Sequence, residues 1–133
     1  MRSILAVAVV VGALHAGPVK VVPAKDWTGI GKTDKLADEA PKSGLITDAK
    51  TFEKVWKAWR GAEELPKIDF EKQFVVVTLS RGGPNRPRIS ATLDEGALKI
   101  MSISTLIGGD GFGYSLAVFD RKGVKTVGAE KLP

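Results

Sequence analysis

A lone histidine, His15, is the chain's only imidazole, and it stands within an apolar amino-terminal stretch that reads as an export leader. Once that leader is removed, no imidazole remains to move protons near neutral pH or to ligate a metal. The chain has no cysteine, so thiol nucleophiles and Cys-based zinc sites are absent as well. Together these exclude the Ser-His-Asp and Cys-His classes from the processed form. Carboxylates and hydroxyls are what is left for chemistry. Asp69, Asp94, Glu95, Asp110 and Asp120 supply carboxylates that a glycoside hydrolase would use in pairs, but no spacing marks any two of them as partners. Asp94 and Asp110 belong to glycine-containing turns, where aspartate commonly bonds to its own backbone. A Ser-Lys hydrolase is formally open, yet no serine lies in a Gly-x-Ser-x-Gly elbow.

Two glycine-rich stretches invite a nucleotide reading and fail it. Gly31-Lys32-Thr33 resembles the end of a phosphate-binding loop, but that motif needs a glycine where Asp26 stands. The stretch reads instead as a glycine-containing strand or turn. Glycines 108, 109, 111 and 113 do not make a dinucleotide fingerprint, because Tyr114 takes the place of its third glycine. A calcium loop would need more acidic ligands around Asp110. No cofactor is expected. The formal net charge of +5 leaves a basic surface, with Arg81, Arg86 and Arg88 around one turn and Arg121, Lys122 and Lys125 around another. Such groups suit an acidic protein or an envelope polyanion. Without aromatic residues interleaved in these loops, nucleic acid is a poor fit.

The elements that must position these groups follow from the apolar pattern. Met1-Arg2-Ser3 followed by an apolar run over 4–14 and by Ala13, Ala16 and Gly17 has the order of a signal peptide, here assigned to residues 1–17. At about 1.5 Å per residue the run spans only about 16 Å as a helix, against about 30 Å of hydrocarbon, so a stable membrane anchor is not expected. The exported form is then one domain, residues 18–133, in the periplasm or outside the cell. Val19, Val21 and Val22 suit a short strand that Pro23 ends. Thr47 or Asp48 can cap a helix whose apolar stripe is Phe52, Val55, Trp56 and Trp59, with Gly61 as its left-handed stop. Pro66 then holds the chain extended into Phe74-Val75-Val76-Val77, a strand suited to being covered on both faces.

Turn residues fill 81–87. Ile89, Ala91 and Leu93 alternate with polar neighbours, Asp94-Glu95-Gly96 turns the chain, and residues 98–104 return it. The apolar phase slips between Ile100 and Met101, which a bulge or a doubly covered strand would explain. Phe112, Tyr114, Leu116 and Val118 alternate with small residues, and Val124, Thr126 and Val127 suit a last short strand. The fold class is α+β, an antiparallel sheet of about four to six strands with one amphipathic helix packed on a face.

The succession of the Phe52, Val55, Trp56, Trp59 helix, the Leu65-Pro66-Lys67-Ile68-Asp69-Phe70 joint and the valine strand resembles the small exported bacterial domains related to the PrcB subunit of a surface protease complex. The similarity spans residues 44–127. Family members show a Gly-Gly-Tyr-type element soon after the valine strand. Arg81-Gly82-Gly83-Pro84-Asn85 stands there in this chain, and Gly-Phe-Gly-Tyr comes later, at 111–114. The resemblance implies a non-catalytic accessory protein that binds or stabilises an extracytoplasmic partner. The loops 81–88 and 106–114 are the candidate contact regions, since binding residues concentrate on loops held by a rigid sheet. Arg81, Asn85, Arg86, Arg88, Asp110, Phe112 and Tyr114 are the candidate contacts. The alternatives are a basic surface protein that binds envelope polyanions, and a small carboxylate- or Ser-Lys-based hydrolase.

Overall fold

The computed structural model describes residues 17–133, and nearly all of the predicted leader lies outside that range. Among the described residues, no helix is long and apolar enough to cross a membrane. The chain runs β1 (Val19–Val21), β2 (Lys25–Gly31), α1 (Asp34–Ala37), β3 (Leu45–Ile46), α2 (Ala49–Arg60), β4 (Gln73–Arg81), β5 (Arg88–Asp94), β6 (Ala97–Ile103), β7 (Phe112–Asp120), β8 (Thr126–Val127) and β9 (Glu130–Lys131). The class is α+β. Where the sequence pattern suggests one sheet, the strands divide into two, ordered β2-β7-β4-β3 and β1-β5-β6-β8-β9. All pairings are antiparallel except β6 with β8, which is parallel.

Helix α2 begins as its residues dictate. The Asp48 carboxylate accepts from the Thr51 amide at 2.8 Å and from the Thr51 hydroxyl at 2.9 Å, satisfying a free donor of the first turn. Gly61, at φ 60°, ends the helix, and its amide donates to the Lys57 carbonyl. The buried stripe of Phe52, Val55, Trp56 and Trp59 lies on the four-stranded sheet. There it meets Val75 and Val77 of β4 and Phe112, Tyr114, Leu116 and Val118 of β7. The opposite face of that sheet contributes Phe74, Val76, Ala117 and Phe119 to a second core against Ala91, Leu98 and Val127. The order of layers is therefore helix, four-stranded sheet, five-stranded sheet. Strands β4 and β7 are covered on both sides, which is why β4 reads as a continuous apolar run.

Gly29 and Gly31 lie within β2, opposite Tyr114 and Phe112 of β7. The two aromatic rings occupy the space that β-carbons would fill, so the glycines serve ring packing in a strand. The acidic stretch after them holds a short second helix, α1. Between β5 and β6, Glu95 at φ 50° and Gly96 at φ 87° make a two-residue turn in which both central residues have positive φ. The ladder from that turn to Arg88 and Ile103 is unbroken, so the phase slip at Met101 marks neither a bulge nor a covered face. Met101 and Ile103 are both exposed to solvent.

Candidate binding surface

One buried side chain joins the two predicted loops. Asn85, only 3% exposed, donates from Nδ2 to the Ile107 carbonyl at 2.8 Å. Its Oδ1 accepts from the Ile107 amide at 2.9 Å and from the Thr105 hydroxyl at 2.7 Å. The side-chain amide thus replaces a strand partner for the 104–107 segment and uses both ends of its hydrogen-bonding capacity. Close backbone approach seals the joint. A β-carbon on Gly83 would collide with the Ile107 carbonyl, and one on Gly113 with the Asn85 carbonyl. What the joint displays is apolar: Leu106 is 94% exposed, Ile107 61% and Ile103 70%. Arg86 and Arg88 are exposed beside them, and among the described residues neither forms an ion pair.

The predicted contact residues fall into three groups. Arg86, Arg88 and Asp110 are exposed at this end of the molecule, and Asn85 is buried beneath it as the clip. Arg81 is separated from the other two arginines. Alternation along β4 turns it to the helix side, where its guanidinium meets Asp38 at 3.1 Å. Phe112 and Tyr114 are core residues, because β7 presents them to Trp59, with ring centroids 5.4 and 4.6 Å away. Their side chains are covered by α2 and offer no surface to a partner. In the second basic turn, Arg121 is committed to backbone, donating to the carbonyls of Phe70 at 2.9 Å and Pro133 at 2.6 Å.

Between the two sheets the apolar core gives way to hydroxyls. Beyond Val76 and Ala117, the inner face of the four-stranded sheet carries the paired residues Thr78 and Ser115, then Ser80, which meets Ser104 at 3.0 Å. The Thr78 and Ser115 hydroxyls are buried without a hydrogen-bond partner. The sheets splay here around an open cleft of about 790 Å³. Its walls are Asp26, Thr28 and Ile30 of β2, the 84–89 segment with Arg86 and Arg88, residues 103–105, and Ser115 on the floor. Asp26, Thr28 and Ser115 are not among the contact residues expected from the sequence. Their one signal was alternation, which put Thr28 opposite the Trp27 face and Ser115 opposite the Tyr114 face.

The carboxylates considered for hydrolysis are occupied or apart. Asp69 accepts from the Glu71 amide at 3.0 Å and Asp120 from the Gln73 side chain at 3.3 Å. Asp94 closes the β5–β6 turn, and Asp110 precedes β7 at the end remote from Asp120. Among the described residues, no group of three Asp, Glu, His or Cys side chains is arranged to hold a metal ion. Comparison of the chain with family models, with curated proteins and with solved structures gives no significant match.

Proposed function

We propose that the processed chain is an exported, non-catalytic accessory protein that contacts an extracytoplasmic protein partner through the joined loops 81–88 and 104–111. One observation carries this reading. Asn85 fixes the backbone that displays Leu106 and Ile107, so large apolar side chains stand in solvent on an ordered support. Exposed apolar groups cost little when scattered, but several presented together on rigid backbone suit a contact surface. Arg86 and Arg88 at its margin fit a partner whose apolar patch is bordered by carboxylates. The resemblance to the PrcB-related domains points the same way. A polyanion surface is less well supported, because Arg81 and Arg121 are engaged elsewhere.

The test is site-specific photocrosslinking in the native host, with the crosslinker at Leu106, Ile107 or, as a control, Lys57 on the far side of α2. A discrete protein adduct from positions 106 and 107 only, lost in Ile103→Glu, supports the proposal. Equal labelling from all positions, labelling of lipid only, or no adduct overturns it.

A further inference from the structure

We propose that the cleft between the two sheets is a binding site for a small hydroxylated anion, a sugar unit bearing a carboxylate or a phosphate. The site shares Arg86, Arg88 and Ile103 with the proposed protein contact but not Leu106 or Ile107, and its floor and β2 wall, Ser115, Asp26 and Thr28, lie apart from that contact. Four observations converge. The cleft, about 790 Å³, falls within the roughly 300–1,000 Å³ typical of small-molecule sites. Ser115, 1% exposed, brings a hydroxyl without a partner to its floor, and a buried polar group left unsatisfied costs free energy that a ligand hydrogen bond would recover. Arg86 and Arg88 line one wall and have no ion pair among the described residues, and guanidinium is the side-chain group suited to carboxylate or phosphate.

Asp26 on the β2 wall supplies the fourth constraint. A carboxylate there repels a bare anion but accepts from sugar hydroxyls, so the ligand's charge belongs at the arginine end and its hydroxyls at the Asp26 and Thr28 end. Ile30, Pro84, Pro87, Ile89 and Ile103 add apolar wall for the carbon face of a sugar ring. A cationic ligand is disfavoured by the arginines, and a purely apolar one would leave the Ser115 hydroxyl unsatisfied.

The experiment is a titration of the isotopically labelled protein with glucuronate, glucose 6-phosphate, glucose, inorganic phosphate and glycine, followed by amide shifts and calorimetry. Glucuronate or glucose 6-phosphate should shift residues 26–30, 86–89 and 115 and bind at least about tenfold more tightly than glucose or phosphate, the increment of one charge-assisted hydrogen bond. The stronger of the two identifies the anion. Ser115→Ala should weaken binding about tenfold without lowering thermal stability, since it deletes a hydroxyl that no protein group satisfies. Leu106→Glu, which disables the proposed protein contact, should bind the ligand normally. Equal affinity for glucose, tighter binding of glycine, no shift at position 115, or indifference to Ser115→Ala overturns the proposal.

Discussion

The Arg60 guanidinium donates to the Tyr114 hydroxyl at 3.0 Å and thereby ties the last residue of α2 to the strand beneath it. The same Nη1 reaches the Thr28 carbonyl of β2 at 3.3 Å, Nη2 meets Glu63 at 3.0 Å, and Cζ lies 4.9 Å from the Trp56 ring centroid. Burial works against the charge on Arg60, but the Tyr114 hydroxyl and the Glu63 carboxylate outweigh it and raise the guanidinium pKa above its ordinary value. One cation therefore joins helix, central strand and edge strand. Tyr114→Phe keeps the ring over Gly29 and removes only the acceptor. It should cost about 1.5–3 kcal/mol, the range for a hydrogen bond to a charged group, measured by urea unfolding. No change in midpoint would show that the bond adds nothing.

Trp59 is the keystone of the helix layer. Its ring lies against Phe112 and Tyr114, and Nε1 donates to the Leu36 carbonyl at 2.7 Å, which also holds α1 in place. Trp59→Ala should lose about 3–5 kcal/mol in equilibrium denaturation and raise hydrogen exchange over α1. A loss below about 1 kcal/mol would mean that the surrounding aromatics collapse into the space.

Asn85→Ala strands the Ile107 amide, the Ile107 carbonyl and the Thr105 hydroxyl at once. We expect about 1–3 kcal/mol of destabilisation, the cost of leaving buried polar groups unpaired. Hydrogen exchange should rise over 104–111 and stay unchanged in β4. Uniform loss of protection along the whole chain would instead make Asn85 a global core residue.

Gly113→Ala tests the close approach of β7 to the 83–86 turn. The added carbon meets the Asn85 carbonyl and the Arg86 amide, both backbone, so no rotamer change relieves it. Overpacking of this kind costs about 1–3 kcal/mol or more, and thermal unfolding should show it. Shifts in the amide resonances of 84–87 would locate the strain; unperturbed resonances there would refute the contact.

Much of the fold was legible because its signals are local. The α2 stripe, its Asp48 cap and Gly61 stop, the β4 run and the Glu95-Gly96 turn each follow from neighbouring residues. The partition into two sheets was not legible, since it depends on β2 finding β7, a pairing between residues 25–31 and 112–118 that no local pattern encodes. The candidate site divides in the same way. Loop composition pointed to 81–88 and 106–114, but period-two alternation alone left open which face of β7 is covered by a helix. Phe112 and Tyr114 therefore read both as strand residues and as the end of a contact loop, while Ser115 and Thr28, small and polar on strands, carried no mark beyond alternation. The joining of the two loops by Asn85 depends on tertiary proximity across a hairpin.

All three indoles, Trp27, Trp56 and Trp59, belong to the helix-side core, whereas the cleft opens on the other face of the central sheet. Intrinsic emission from this protein is accordingly a gauge of how well the helix is seated. A molecule entering between the sheets would leave that optical signal nearly dark, and a screen relying on tryptophan quenching would overlook it.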